Sequence, residues 1–339
     1  MSQSQMSNGG GVVDASKLVA HVTIAGRLVP EASDDFMKLA RLAHDFRKAV
    51  LYATRMIARG GVDANSILRE LRSMLNKAYG DSAYKVAKAL VEGCRYSNGN
   101  LRHIKVKKLF IVSEGEATRL GNRNVRLGPL GVVKIKYPYD GSWLSFKALF
   151  GEEYIPLVKE LVELSRQKRM SYGARIVFRS GRIYLHISIP LELYLKHFKR
   201  GGEARGSLVV GGFDLNSDRI NMVIVDKYGR IRDTRAAWFP EVTSHGFPRN
   251  KARARRLEAL SELLRYAYYH GVGVVVFENL LLIKRRRFGK NRVANRKIAR
   301  FAKRELLMHG IIMAMKYGFR VYLVSPRGAH QNLENMMRS

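Results

Sequence analysis

A chain of 339 residues with 46% apolar content is long enough for two or three packed domains. Its 61 Lys and Arg stand against 28 Asp and Glu, a net charge of +33. Self-repulsion on that scale calls for a counter-polyanion, so nucleic acid is the expected partner and binding should weaken steeply with salt. A membrane partner is not expected, because no basic segment is matched to a lipid-seeking apolar stripe and no run approaches 18 apolar residues.

Cys94 is the only cysteine, which excludes an intramolecular disulfide and a cysteine-built zinc site. The polar start, Met1-Ser2-Gln3-Ser4-Gln5, lacks the basic and apolar regions of a signal peptide, so a cytoplasmic location is expected.

In chain order, residues 1–15 are rich in Gly and Ser and read as a disordered tail. Leu18 to Ile24 alternates as a strand, placing the first barrel strand within 16–32. Ser33-Asp34-Asp35 reads as the N-cap of a long helix whose apolar face carries Phe36, Leu39, Ala43, Phe46, Val50, Ala53 and Ile57, stopped by Gly60-Gly61. Helices near 64–77 and 82–94 follow, with Tyr79-Gly80-Asp81 as the break between them, so 33–100 reads as a helical insert.

Short β runs then dominate 101–195, with a hairpin signal at Ser180-Gly181 and one helix near 154–167; this segment reads as a small wedge-like β-barrel. Residues 196–206 are basic and Gly-rich, a linker. From 207 to 339 the pattern is three strands, a helix from about Asn250, a strand to Glu278, a helix to Tyr317 and a strand over 319–324. Three antiparallel strands followed by alternating helices and parallel strands is the RNase H-like order. The expected fold class is therefore α+β multidomain, an N-terminal β-barrel with a helical insert joined to a C-terminal RNase H-like α/β domain.

Two acids end apolar strands. Asp214 follows Leu208-Val209-Val210-Gly211-Gly212-Phe213, and Glu278 follows Val274-Val275-Val276-Phe277. Acids are depleted in strands and costly to bury unpaired, so the pair reads as metal ligands at the centre of a sheet, whereas Asp218, Asp226 and Asp233 read as turn caps. Basic residues flank both. One patch is Arg249, Lys251, Arg253, Arg255 and Arg256; the denser one is Lys284, Arg285, Arg286, Arg287, Lys290, Arg292, Arg296, Lys297, Arg300, Lys303 and Arg304. With few acids among them, both are expected to contact a phosphate backbone. Tyr137, Tyr139 and Trp143 fit barrel core better than base stacking, and His309 and His330 read as structural histidines, with proton transfer as the alternative.

The order Gly-Phe-Asp214-Leu-Asn, then Val-Val-Phe-Glu278-Asn-Leu, a helix, and Val321-Tyr-Leu-Val-Ser325-Pro326-Arg327-Gly328 resembles the TnpB (OrfB) family of transposon-encoded proteins. The resemblance spans roughly residues 208–328 and is architectural before that. It implies a RuvC-like, RNA-guided DNA endonuclease with guide RNA and target DNA as partners. It implies Mg2+ (or Mn2+) on Asp214 and Glu278, and Arg327 among the nucleic-acid contacts. Without a four-cysteine knuckle the chain is similar to the zinc-less archaeal-type branch, and no zinc is expected. The family's third carboxylate begins a final helix. The chain stops at Ser339 before that helix, leaving Glu334 as the remaining acid and a second polypeptide as an alternative source of the helix. Weakened or absent cleavage is the corresponding expectation, with a silent RNA-guided DNA-binding protein as the alternative, and more remotely an RNA-binding structural protein.

Overall fold

The computed structural model describes residues 12–200, 208–282, 291, 295 and 302–325. The chain forms a mixed α/β structure of two compact units, one over His21–His197 and one combining the N-terminal residues with those from Phe198 onward. Its first strand, β1 (Val13–Asp14), pairs antiparallel with residues 322–323 near the other end of the chain. Residues 13–14 are thus an edge strand rather than part of a disordered tail.

The first unit contains β2 (His21–Pro30), α1 (Ser33–Arg59), α2 (Ala64–Met74) and α3 (Lys77–Tyr96). Then come β3 (Phe110–Ser113), β4 (Gly115–Glu116), β5 (Gly121–Asn122), β6 (Val125–Leu127), β7 (Val132–Lys136) and β8 (Trp143–Leu149). It ends with α4 (Ile155–Arg166), β9 (Gly173–Arg179) and β10 (Arg182–Pro190), after which α5 (Leu191–Phe198) occupies the start of the expected linker. The β2 strand begins at His21, three residues later than its apolar pattern.

Helix α1 forms because Leu39, Leu42, Ala43, Phe46, Ala49, Val50 and Ala53 recur at three- and four-residue spacing and are all fully buried. Its cap is Ala32, with Ser33 already helical, and it stops where Gly60 turns to φ 75°. The expected break at Tyr79-Gly80-Asp81 lies inside α3: a Cβ on Gly80 would sit 3.0 Å from backbone atoms of Leu71, so this glycine lets α2 approach rather than ending a helix. Seven strands form one antiparallel sheet in the order β3-β9-β10-β2-β8-β7-β6. Among the described residues that sheet has two ends, an open half-barrel and not the closed barrel read from the sequence.

The second unit holds β11 (Val210–Leu215), β12 (Arg219–Val225), β13 (Ile231–Trp238), α6 (Arg249–Tyr269), β14 (Val274–Glu278), α7 (Lys303–Lys316) and β15 (Arg320–Val324). Its sheet runs β1-β15-β14-β11-β12-β13. Strands β11, β12 and β13 are antiparallel neighbours, while β14 and β15 run parallel to β11, as the alternation of helices and apolar runs required. Gly310 of α7 brings that helix against the sheet, since a Cβ there would meet the Phe277 ring at 3.1 Å and Leu260 of α6 at 3.3 Å.

Candidate metal centre

Strands β11 and β14 pair in parallel with Phe213 beside Phe277, and the two rings lie 5.2 Å apart. Asp214 and Glu278 are the next residue on each strand. Because residues in register on parallel neighbours point to the same face, both carboxylates emerge on one side of the sheet, opposite the phenylalanine pair. Adjacent strands lie about 4.8 Å apart, close enough for the charge of Asp214 to act on Glu278.

The two carboxylates differ in what surrounds them. Asp214 is exposed, and its Oδ2 accepts from Asn216 Nδ2 at 2.7 Å and from Asn221 Nδ2 at 3.2 Å. Asn221 stands directly across from it on β12. The Oδ1 of Asp214 accepts nothing from the described residues. Glu278 is half-buried, and among the described residues its carboxylate receives neither a hydrogen bond nor an ion pair. Burial raises its pKa above the usual glutamate value, the negative charge of Asp214 raises it further, and Lys303 at the start of α7 works in the opposite direction.

A half-buried acid with a like charge beside it and no donor is an arrangement that a divalent cation would relieve. Hard oxygen donors from two carboxylates suit magnesium or manganese, with water filling the remaining positions. Among the described residues, no group of three His, Cys, Asp or Glu side chains is placed to hold a metal. Glu334 lies outside the described residues.

The first basic patch divides. Arg249 and Lys251 at the start of α6 are exposed and make no ion pair with the described residues. Arg253 donates from Nε to Glu305 at 2.6 Å and lies 2.9 Å from His309 Nε2, and Arg255 pairs with Glu241 and Glu258. Arg256 is only 5% exposed, reaching the Ser217 carbonyl, so burial removes it from the set of phosphate contacts expected from the sequence. From the second patch, Arg304 is exposed and Lys303 is near enough for its charge to act on Glu278. Lys284, Arg285, Arg286, Arg287, Lys290, Arg292, Arg296, Lys297, Arg300 and Arg327, like His330, lie outside the described residues.

Other expectations change with the packing. Asp226 caps its turn through the Tyr228 and Arg230 amides, but Asp218 is buried, and Asp233 accepts from the Tyr266 hydroxyl. Tyr137 is core, while Trp143 lies under Arg126 at 4.2 Å and Lys136 at 5.2 Å. Sequence reasoning missed Asn216, Asn221 and Lys303 as neighbours of the acids. Asn216 carries a local signal, two residues after Asp214; the other two become visible only through strand register and helix placement.

The SSO2105 N-terminal domain model matches residues 21–199, nearly the span of the first unit. An uncharacterized Saccharolobus solfataricus protein, SSO2105, is 39% identical over 321 residues, covering 93% of this chain and 85% of its own. An uncharacterized Aeropyrum pernix protein is 28% identical over 60% of this chain and 57% of its own length. Among solved structures, Thermus thermophilus RuvC in complex with a Holliday junction substrate is similar over 38% of this chain and 73% of its own, at 16% identity and TM-score 0.25. The Cas12i1–crRNA binary complex is similar over 70% of this chain and 31% of its own, at 9% identity and TM-score 0.19. Likeness at those TM-scores assigns no activity. The match over the first unit and the near full-length Saccharolobus relative place the chain in the SSO2105 family.

Proposed function

We propose that the second unit is a RuvC-like, divalent-metal-dependent nuclease within a TnpB-type protein that takes a guide RNA and a DNA target. The observation supporting this reading is the Asp214–Glu278 pair, brought to one sheet face by parallel register and short of donors on the Glu278 side. Magnesium, when bound, would supply Lewis acidity and an activated water for phosphodiester hydrolysis. Asp214 Oδ1 and the Glu278 carboxylate would hold it, while Asn216 and Asn221 fix the Asp214 side chain through its other oxygen. Lys303 would offset the charge of Glu278, and Arg249, Lys251 and Arg304 would meet the phosphate backbone.

The test is magnesium-dependent cutting of target DNA by full-length protein purified with its co-expressed RNA. Cleavage lost in EDTA and in Asp214→Asn supports the nuclease, and cleavage that survives Asp214→Asn overturns it. A second reading, a silent RNA-guided DNA-binding protein, is favoured by the lack of a third metal-binding side chain among the described residues. Retained RNA and target binding without any cutting would select it.

A further inference from the structure

The half-barrel sheet has one apolar face and one polar one. On β10, Ile183, Leu185, Ile187 and Ile189 are buried, so His186 and Ser188 project to the other side. Register assembles their neighbours. Ser188 stands between Thr23 of β2 and Gly173 of β9, and His186 stands between Ala25 of β2 and Arg175 of β9. The two rows are two residues apart on one face, about 7 Å, so two hydroxyls, an imidazole and a guanidinium converge from three strands.

These groups line a cleft of about 640 Å³, walled in addition by Lys85 and Glu114. Lys85 and Glu114 are paired with each other at 2.8 Å and neutralise one another. Arg175 lies over the Phe110 ring at 5.0 Å and makes no ion pair with the described residues. The side chains of Thr23, Ser188 and His186 likewise have no hydrogen-bond partner among them. Burial, then the charge of Arg175, lowers the pKa of His186, which therefore enters as a neutral imidazole and not as a second cation. Gly173 supplies no side chain, so the floor between Ser188 and Arg175 stays open.

One uncommitted guanidinium surrounded by hydroxyl and imidazole groups matches a small tetrahedral oxyanion. The volume lies within the range of about 300–1,000 Å³ typical of small-molecule sites and exceeds what a bare phosphate fills. A phosphodiester backbone would instead need a series of cations along an open groove. We propose that this cleft binds the phosphomonoester of a nucleotide, with Arg175 as counter-charge and Thr23, Ser188 and His186 as hydrogen-bonding partners. His21, the other imidazole of the cleft, lies four residues from Ala25 along β2, about 13 Å from the row of His186. Two histidines that far apart do not meet on one phosphate, so His186 is the imidazole assigned to this ligand. Nothing in this assignment depends on Asp214 or Glu278.

The experiment uses the full-length protein at about 0.3 M salt, where weak backbone attraction is screened. Short single strands differing only in a 5′-phosphate or a 5′-hydroxyl are titrated, and 5′-AMP is added as competitor. Expected is a preference for the phosphorylated strand of about tenfold, lost in Arg175→Gln and reduced in Ser188→Ala, with melting temperature and Asp214→Asn behaviour unchanged. If 5′-AMP displaces the strand, free nucleotides share the site; if it does not, the site reads a strand end; both support the assignment. Equal affinity for the two strands overturns it, as does a preference that persists in a folded Arg175→Gln protein.

Discussion

Asp214 and Glu278 occupy equivalent positions one step beyond the paired Phe213 and Phe277, and the charge on Asp214 adds to burial in raising the proton affinity of Glu278. Two like charges held together oppose folding, and Lys303 offsets the repulsion at Glu278 only in part, since the pKa of that acid still stands raised. Asp214→Asn removes that repulsion while keeping a side-chain oxygen for Asn216 and Asn221. The metal-free protein should therefore melt roughly 2–4 °C higher than wild type, and magnesium should stabilise wild type but not the variant. Calorimetry in EDTA and in magnesium checks both, and a variant that still responds to magnesium contradicts the shared site.

Basic residues close in sequence should behave differently toward nucleic acid. Arg249→Gln, Lys251→Gln and Arg304→Gln should each weaken binding and lower the salt-dependence slope by about one. Arg255→Gln should change it less, because that guanidinium is already held by Glu241 and Glu258. Binding isotherms across a salt series measure the slopes. Equal losses at all four positions would mean that the ion pairs open freely.

His309 gives the second unit a dependence on pH. Its Nε2 accepts from Arg253 Nη2, and burial together with Arg253 lowers its pKa below the ordinary 6.5. A lowered histidine pKa means the unfolded chain takes up the proton first. Stability is thus fully present above about pH 6.5 and falls as pH drops through the folded-state value. Denaturant midpoints between pH 7.5 and about 5 should fall more in wild type than in His309→Gln.

Gly80→Ala should destabilise the protein even though alanine is the better helix former by about 1 kcal/mol. The added Cβ would sit 3.0 Å from the Leu71 carbonyl and from Arg72 N, backbone atoms that do not yield as a side chain would. A net loss of about 1–3 kcal/mol is expected from urea unfolding. A gain would show that α2 and α3 can separate at no cost.

Asn122 is fully buried and serves five partners. It donates to the Ser113 and Tyr172 carbonyls, and its Oδ1 accepts from the Ser113 hydroxyl and the Asn124 and Val125 amides. Asn122→Ala should cost about 2–4 kcal/mol in the same assay by stranding those groups. Asn122→Asp should also destabilise, since a carboxylate cannot donate to two carbonyls.

Helix α1, the β9–β10 hairpin and the strands that carry Asp214 and Glu278 were legible in the residues alone, although β11 runs one residue past Asp214 to Leu215. Apolar spacing, glycine stops and an acid after a valine run are local signals, and local periodicity fixes local structure. The same locality explains the misreadings. Gly80 is a helix breaker by composition and a close-approach site by packing. Arg256 counted as one more surface cation until folding buried it beside Ser217. The seven half-barrel strands carry no statement in their sequence of whether the sheet closes. Charge, strand-end acids and element order were thus decided by the sequence. The meeting of Asp214 with Glu278, the aid of Asn221 and Lys303, and the Arg175 cleft were decided only by tertiary structure. Each depends on strand register or helix placement between residues dozens of positions apart, and no short stretch of chain encodes that.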